Sequence, residues 1–487
     1  MSLGQKVASS AIWASAGSYL SFGIGLAGGL LLARLLDPTD FGVYALALAI
    51  SEFLNVLGGF SFPMAVIQNT EWSDEFVSTT FLLSLGNSLL IICIACIIFV
   101  FSLAWLPYGT AVAFLVICLF RPVVYMGSVY GATLEREMAY SKISVIRVIA
   151  SAISWIGALA GALLGIGYWS LVAQYCLFAV VTLIGSHAQS SWRFSKQFSK
   201  AMAVKIWGFG KKLFVMRICE VFVNQFDRLM LGSFVDSTSL GFYTQSRYVA
   251  ELGAVAVAPA SVQVAFSAFS RVQHDGNKLS RMYSVLSFYL VRSMFLLAVL
   301  LFLFPTEILW AILGPRWTVA APILRLLSLH ALAQPVFKSY EQLYIAIGSA
   351  ACVVKMRLLQ VFAYSVLLPL AVLEMKAEGA AIATSLVSLL TLYLYHRSMP
   401  SHIAYSPIDL YRNPLIAGGV SLIIGILSKV GLSAWHPRIL FPYLMMALVA
   451  VTFGVVLFVL ESVKLKETAA LAVRSLRSPE FARRQKS

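Results

Sequence analysis

Ionisable side chains that interrupt otherwise apolar stretches are the residues of this sequence that could do chemistry. In three stretches polar residues recur every three or four positions, a spacing that places them on one face of a helix. The three stripes are Arg217, Glu220, Asn224, Asp227 and Arg228; Tyr243, Arg247 and Glu251; and His330, Gln334, Lys338 and Glu341. Glu52 with Asn55, and Arg121, add polar positions earlier in the chain. Because the planar guanidinium of arginine matches the geometry of phosphate oxygens, these positions favour binding of an anion.

Charges in such positions need a partner, since a central charge in a bilayer costs about 2.5–3.5 kcal/mol even on the most lenient scale. Nine basic residues against five acidic ones within the apolar stretches leave an excess of positive charge. We predict that six of them bind an anionic substrate: Arg121, Arg217, Arg228, Arg247, Arg292 and Lys338. The five acidic residues in the same stretches are Glu52, Glu220, Asp227, Glu251 and Glu341. The alternative is that Arg217–Glu220 and Arg247–Glu251 only stabilise the helices, and that His330 is a packing residue.

The composition decides the class of protein. The chain has 487 residues, 60% of them hydrophobic and 12% charged, with a mean hydropathy of +0.85, whereas soluble domains have about 45–50% apolar and 25% charged residues. Soluble globular, disordered and disulfide-stapled proteins are therefore excluded, and a polytopic membrane protein is indicated. The sequence shows no nucleotide-binding loop, no catalytic constellation and no Cys/His grouping with metal-ligand spacing, so no catalytic residue, metal or cofactor is expected. The first apolar stretch lacks a signal-peptide exit site and is expected to remain as the first span.

Stretches of roughly 20 apolar residues define the elements that position these side chains. We predict fourteen spans, at 9–35, 41–63, 77–104, 110–133, 141–165, 168–190, 211–234, 239–263, 283–312, 320–346, 352–373, 379–397, 414–431 and 440–463. With both termini in the cytoplasm, the inner segments hold 23 Lys and Arg and the outer loops hold 4, which is the bias that orients membrane proteins. The net charge of +15 is thus mainly an orientation signal, and nucleic acid is not expected as a partner.

An internal repeat divides the chain. At an offset of 199 residues several positions are identical, namely Asp37 and Asp236, Thr39 and Thr238, Gly42 and Gly241, Tyr44 and Tyr243, and Glu52 and Glu251. The offset equals six spans, an even number, so both copies enter the membrane from the same side. We predict an N-terminal six-helix lobe at 1–192, a C-terminal six-helix lobe at 193–400, two additional helices at 401–465 and a basic cytoplasmic tail at 466–487.

Several segments, taken in order, resemble a known family. They are Leu31-Leu-Ala-Arg-Leu-Leu-Asp-Pro-Thr-Asp-Phe-Gly-Val-Tyr44, Phe226-Asp-Arg-Leu-Met-Leu-Gly232, Leu240-Gly-Phe-Tyr243, and Leu313-Gly-Pro-Arg-Trp317 followed by Ala320-Ala-Pro-Ile-Leu324. They are similar to Wzx-type polysaccharide and O-antigen flippases of the MOP (MATE-like) transporter superfamily, in the branch that exports colanic-acid-like or teichuronic-acid-like repeat units. Asp227 is the charged residue of these motifs that we single out.

The resemblance implies an all-α fold with two six-helix lobes in a V, a central cationic cavity and alternating access. The implied substrate is an undecaprenyl-diphosphate-linked oligosaccharide, moved from the cytoplasmic to the periplasmic leaflet of the bacterial inner membrane with coupling to an ion gradient. The five acidic residues named above would then bind the coupling cation, a proton or sodium, or form gating pairs. The product would be a surface polysaccharide such as O-antigen, capsule or exopolysaccharide. In this role the protein would have a polysaccharide polymerase and a chain-length regulator as partners.

Three alternatives remain open at this stage. A MATE-like multidrug/cation antiporter would share the fold but favour an acidic, aromatic-lined cavity. A membrane-embedded polysaccharide polymerase or ligase would need a large periplasmic loop with paired catalytic groups, and the predicted outer loops are short. A scaffold of an assembly complex would tolerate removal of the buried charges.

Overall fold

A computed structural model describes residues 3–58, 62–69, 73–272, 275–399, 406–432 and 441–477. These residues form sixteen α-helices and one 3-10 turn, Pro315–Ala320, and no strand. The first nine helices are α1 Leu3–Leu35, α2 Pro38–Gly58, α3 Phe62–Gln68, α4 Asp74–Ser102, α5 Tyr108–Leu119, α6 Arg121–Arg136, α7 Tyr140–Leu163, α8 Trp169–Gln189 and α9 Lys200–Phe234. The others are α10 Ser237–Val272, α11 Gly276–Leu303, α12 Pro305–Ile312, α13 Ala321–Ala346, α14 Ala350–Arg397, α15 Pro407–Leu432 and α16 Phe441–Arg477.

Eleven stretches of the described residues are long and apolar enough to cross a membrane. One of them, Ala350–Arg397, corresponds to two predicted spans, because the 48-residue α14 is broken at Lys376 (φ 50°, ψ −126°). The predicted spans at 211–234 and 239–263 coincide with α9 and α10, whose side chains lie partly outside the described residues. The predicted all-α polytopic fold is therefore confirmed.

Proline fixes two of the helix ends that matter for the spans. Pro305 is at the start of α12, so the long predicted span at 283–312 ends at Leu303. Pro122, next to Arg121, separates α5 from α6 near the middle of the predicted span at 110–133. Proline is tolerated in the first turn of a helix, where its missing N–H has no helical partner.

The chain divides by its internal contacts into two compact units, one up to Gly241 and one from Phe242. In the first unit α7 packs between α1 and α8, and α2 packs on α5 and α9. In the second unit α13 packs on α14 and α11, and α11 also contacts α15. The predicted division at 192, 400 and 465 stays a prediction, since it rests on the repeat and not on contacts.

The two matching turns of the repeat contact each other within the first unit. The hydroxyls of Thr39 and Thr238 form a hydrogen bond of 2.8 Å. A Cβ at Gly42 would lie 1.7 Å from the carbonyl oxygen of Ser237, and a Cβ at Gly241 would lie 1.8 Å from that of Pro38. Because residues 38 and 237 are themselves related by 199, the contacts are reciprocal, as in an isologous interface. Glycine is required at both positions because only hydrogen fits against the opposed backbone.

The reciprocal contact predicts that alanine lowers the stability of the protein at Gly42 or Gly241 and raises it at a glycine whose Cβ position is open. Gly42→Ala or Gly241→Ala should lower stability by about 1–3 kcal/mol, the usual cost of forcing atoms into a packed contact. Gly86→Ala is the matched control, since nothing lies within 4 Å of its Cβ position on α4, and alanine should add about 0.5–1 kcal/mol of helix stability there. The midpoint of thermal unfolding in detergent measures both. Equal shifts at the three positions would contradict the tight turn contact.

Candidate functional site

Arg121 is the central residue of a polar cluster in the first unit. It begins α6 directly after the break at Phe120 and is only 3% exposed. Its Nη2 donates to Ser51 Oγ at 2.6 Å and to Glu52 Oε1 at 2.9 Å, so the structure brings two predicted site residues together. Its Nε–H is buried and has no hydrogen-bond partner among the described residues. The Nη2 group of the guanidinium thus faces a carboxylate, whereas its Nε–H is a donor without an acceptor among the described residues.

Tyrosine and asparagine extend this group, which we call the N-terminal polar cluster: Ser51, Glu52, Asn55, Arg121, Tyr125, Tyr175 and Arg228. Tyr125 donates to Asn55 Oδ1 at 2.5 Å. The Tyr175 hydroxyl is buried without a hydrogen-bond partner in the described part of the chain. Arg121 Nε and Tyr175 are therefore two unused donors within one group of packed helices.

Arg228 lies on α9, which packs against α2, the helix that carries Ser51, Glu52 and Asn55. The Arg228 guanidinium donates to Gln225 Oε1 at 2.6 Å, while its Nε–H is buried with no partner among the described residues. Asp227, its neighbour, is fully buried, and its carboxylate accepts from the Arg228 backbone N–H at 2.8 Å.

Arg217 and Glu220 form a different kind of contact. Their ion pair has a distance of 2.9 Å, and both side chains are nearly half exposed. Exposed pairs of this kind usually contribute about 0–1 kcal/mol in water. The structure therefore leaves Arg217 accessible, with a carboxylate one helical turn away.

The second unit contains what we call the C-terminal polar cluster: Arg247, Glu251, His330, Gln334 and Ser388. Glu251 Oε1 accepts from Arg247 Nε at 3.0 Å, lies 3.2 Å from His330 Nε2, and is 3.4 Å from Gln334 Nε2. The other ring nitrogen of His330 lies 2.7 Å from Ser388 Oγ. Two of the predicted stripes, on α10 and α13, thus meet at one carboxylate oxygen.

Glu341 has partners that sequence reasoning misses. Its carboxylate accepts from Arg357 Nη2 at 3.0 Å and from the Tyr395 hydroxyl at 3.2 Å, and both contacts come from α14. Arg357 lies near the start of a predicted span, where a basic residue is typical of an orientation signal. The contact with Glu341 could be found only from the packing of α13 on α14.

Arg292 is held by a buried carboxylate that sequence reasoning also misses. Its Nε donates to Glu461 Oε2 at 2.6 Å, its Nη2 donates to Glu461 Oε1, and Asn413 Nδ2 donates to the same Oε1 at 2.9 Å. Glu461 lies at the end of the last predicted span, where a carboxylate is typical of a residue that reaches the membrane surface. This bidentate ion pair connects α11 to α16, and its two residues are 169 positions apart in the sequence.

Lys338 completes the predicted cationic set. Its side chain is exposed, and its charge acts on His330, which lies about two helical turns away on α13. The predicted cations therefore differ in their surroundings. Arg247 and Arg292 are each bound by a carboxylate. Arg121 donates to Glu52 and keeps one donor unused, and Arg228 donates to an amide oxygen. Arg217, paired with Glu220, and Lys338 have exposed side chains.

Two other observations bear on the type of site. Among the described residues no three His, Cys, Asp or Glu side chains come together as metal ligands. A surface pocket of about 420 Å³ is lined by Asp74, Arg136, Glu137, Ser191 and Trp192. None of these lining residues belongs to the predicted site, and two carboxylates against one arginine do not suit an anion.

Comparison with known proteins shows what this chain is similar to. The family described as "Polysaccharide biosynthesis protein" matches residues 31–322. The chain is 28% identical over 311 residues to the succinoglycan biosynthesis transport protein ExoT of Rhizobium meliloti (strain 1021), and the match spans 61% of each chain. It is 25% identical over 365 residues to the lipopolysaccharide biosynthesis protein WzxC of Escherichia coli (strain K12), and the match spans 71% of each.

One solved structure has the same fold. The lipid II flippase MurJ in an inward closed conformation superposes with a TM-score of 0.71, at 15% identity, over 92% of this chain and 99% of that chain. At this identity the similarity is evidence for the fold alone. The chain therefore has a MurJ-like helical fold, in agreement with the all-α fold that the resemblance implies.

The Arg292–Glu461 pair predicts non-additive effects on stability. Glu461→Ala alone should cost about 3–5 kcal/mol, because it leaves a buried guanidinium without its counter-charge. Arg292→Met combined with Glu461→Leu should restore most of that stability, since an apolar pair of similar volume is often neutral. Glu220→Ala is the control at an exposed pair and should cost about 0–1 kcal/mol. Thermal unfolding in detergent measures each variant, and additive losses in the double variant would argue against the pair.

Proposed function

Because the chain belongs to the polysaccharide biosynthesis protein family, we propose that it is a flippase for undecaprenyl-diphosphate-linked oligosaccharide repeat units. It would carry them from the cytoplasmic to the periplasmic leaflet of the bacterial inner membrane, for assembly of a surface polysaccharide. Both relatives reported above carry names that refer to polysaccharide biosynthesis, and one is named a transport protein. The MOP fold supplies a membrane-spanning helical frame for this role.

The observation that carries the proposal is the pair of unused arginine donors in the N-terminal polar cluster. Arg121 and Arg228 each keep a buried Nε–H without a partner among the described residues. A buried polar group without a hydrogen bond is costly, so such donors need an acceptor, which water, an ion or a ligand can supply. Phosphate oxygens accept charge-assisted hydrogen bonds from arginine, which makes a diphosphate a suitable ligand.

The physical task of such a protein is to replace water around a charged head group. Moving an unpaired charge into hydrocarbon is prohibitive, whereas the polyprenyl tail is at home in lipid. Arg121 and Arg228 would bind the diphosphate, the exposed Arg217 would attract it, and Tyr175 would donate a further hydrogen bond. Glu52 accepts from Arg121 and would hold the guanidinium in a fixed orientation for binding the diphosphate. Because Glu52 also neutralises part of the positive charge, it would allow the diphosphate to be released. Alternating access driven by an ion gradient completes this proposal.

The competing functions fit these observations less well. A MATE-like exporter of cationic drugs would need carboxylates free to face its substrate. Glu52, Glu251, Glu341 and Glu461 instead accept hydrogen bonds from arginine. A polymerase or ligase would need a catalytic constellation, and the relatives reported above are named for biosynthesis and transport rather than for a reaction. A polymerase and a chain-length regulator remain proposed partners.

Substitution of the unused donors tests the substrate site. Arg121→Gln and Arg228→Gln should each slow translocation about 10- to 100-fold, since a hydrogen bond to a charged group is worth roughly 1.5–3 kcal/mol. The measurements are surface polysaccharide and the pool of unflipped lipid-linked intermediate, at matched protein abundance. Arg325→Gln is the control, because Arg325 is exposed and donates only to the Phe302 carbonyl among the described contacts. Wild-type export in both cluster variants would reject the anion site.

The distribution of Lys and Arg tests the proposed orientation. With both termini in the cytoplasm, a fluorescent protein fused after Ser487 should fluoresce and a periplasmic phosphatase fused there should be inactive. A phosphatase fused after Trp105, in the turn between α4 and α5 that is predicted to face the periplasm, should be active. The reverse pattern would overturn the orientation while leaving the fold intact.

A further inference from the structure

The chain between α8 and α9 lies against the helix ends of the first unit. Ser195 Oγ is 2.8 Å from Ser78 Oγ, and the Ser199 backbone N–H donates to Thr79 Oγ1 at 3.1 Å. Because Ser78 and Thr79 follow Asp74, the first residue of α4, by four and five positions, these contacts lie roughly 6–8 Å along that helix from its start. The stretch of α4 that is long and apolar enough to cross a membrane also begins at Asp74. The connection between α8 and α9 is therefore level with the membrane boundary.

Buried side chains hold this connection in place. Trp192 is only 3% exposed and packs on Phe81 and Tyr130, at ring-centroid distances of 5.9 and 5.2 Å. Phe194 also packs on Phe81, at 4.9 Å. Ile206, in the second turn of α9, is buried in the same core cluster. These contacts fix the connection and the start of α9, so the fold determines which of their side chains face outward.

The outward side of residues 193–207, which we call the linker segment, combines apolar and basic side chains. Phe198, Val204 and Trp207 are 55%, 67% and 42% exposed. Lys196 and Lys200 are exposed among them. The sequence has no acidic residue from 138 to 219, so the segment has no carboxylate of its own to pair with these lysines.

The cations of the linker segment fall into two groups. Arg193 Nη1 donates to the Ser190 carbonyl at 2.5 Å, and Lys205 Nζ donates to Asn69 Oδ1 at 3.3 Å, so both hold protein oxygens. Lys196 and Lys200 have no hydrogen bond or ion pair with any part of the chain that the structure describes. Their charges are therefore available to a partner outside the protein.

A membrane surface fits this combination better than a soluble partner does. Aromatic side chains are enriched where a membrane meets water, and exposed apolar residues there enter the boundary between headgroups and acyl chains. Lysine side chains extend from that boundary to the headgroup phosphates. Zwitterionic headgroups carry no net charge, so two available lysines favour anionic ones. A soluble partner would have to displace lipid to reach side chains so close to the membrane boundary.

We infer that the linker segment lies in the headgroup region of the membrane and binds anionic phospholipids. Lys196 and Lys200 contact the headgroup phosphates, while Phe198, Val204 and Trp207 enter the boundary with the acyl chains. With the orientation proposed above, the lipids belong to the cytoplasmic leaflet. This inference concerns the lipid around the protein and goes beyond the proposed flippase activity, on which it does not depend.

Hydrogen–deuterium exchange of the full chain in lipid nanodiscs tests the lipid contact. The probe lipid is phosphatidylglycerol, added to discs that otherwise contain phosphatidylcholine alone. Residues 192–199 are outside any helix, so their amides exchange rapidly unless something covers them. Phosphatidylglycerol should slow exchange in the linker segment several-fold. Raised salt should remove this difference, because it screens charges at the membrane surface.

Substitutions separate the charged part of the contact from the apolar part. Lys196→Gln combined with Lys200→Gln should abolish the slowing by phosphatidylglycerol, since each lysine near an anionic surface contributes about a fivefold effect. Phe198→Ser should instead speed exchange in both kinds of disc. Lys278→Gln combined with Arg281→Gln is the matched control, because it removes the same charge from exposed positions at the start of α11 and should keep the slowing. All these side chains are exposed, so the midpoint of thermal unfolding in detergent should stay at the wild-type value.

Three outcomes would overturn the inference. Equally slow exchange in the two kinds of disc would mean that anionic lipid is not the partner. Exchange as fast in both discs as in detergent would place the segment in water and favour a soluble partner instead. Slowing that the Lys196 and Lys200 double variant retains, or that the control also loses, would mean that these two lysines do not form the contact. No translocation is measured, so failure of the flippase proposal would leave each of these results unchanged.

Discussion

A charge within a membrane must be neutralised or solvated, and this requirement determines how the helices of this protein pack. Unpaired charges in hydrocarbon cost several kcal/mol, and a half-satisfied pair is worse than none. Glu52 with Arg121 joins α2 to α6, Glu341 with Arg357 joins α13 to α14, and Glu461 with Arg292 joins α16 to α11. In a bilayer, where apolar side chains gain little by leaving lipid for one another, such contacts specify which helices are neighbours. The ion pairs therefore determine which helices are neighbours, and we propose that function depends on the donors that the pairing leaves unused.

The sequence predicts the elements of this fold well because their physical basis is local. Hydropathy over about 20 residues defines a span, and a proline such as Pro305 ends one. The break at Lys376 in α14 is predicted on the same basis, since it lies between the predicted spans at 352–373 and 379–397, where Glu374, Lys376 and Glu378 interrupt the apolar stretch. Helix α9, in contrast, begins at Lys200, well before the predicted span at 211, because Ser199 caps it by accepting from the Met202 N–H at 3.5 Å. A capped helix can continue beyond the membrane, where hydropathy gives no signal.

The partners of the site residues are less predictable because they come from distant parts of the chain. Helical spacing correctly pairs Arg247 with Glu251 and Arg217 with Glu220, since each pair lies within one helix. It gives no information on Glu461, which lies 169 residues from Arg292. The sequence therefore identifies which side chains need a partner, and only packing identifies the partner. Glu341 illustrates the point, because its partners Arg357 and Tyr395 both lie on the next helix, α14.

The two copies of the repeat differ in what they conserve, and the difference follows from geometry. Gly42 and Gly241 stay glycine because any Cβ would overlap an opposed carbonyl. Glu52 and Glu251 stay acidic, yet one accepts from an arginine on another helix and the other from an arginine on its own helix with a histidine beside it. Only glycine fits at the turn contact. A buried carboxylate, in contrast, can accept from any set of donors that completes its hydrogen bonds. The partner sets could therefore diverge without loss of the fold. We propose that this freedom allows the first unit to present the unused donors of Arg121 and Arg228 to an anion.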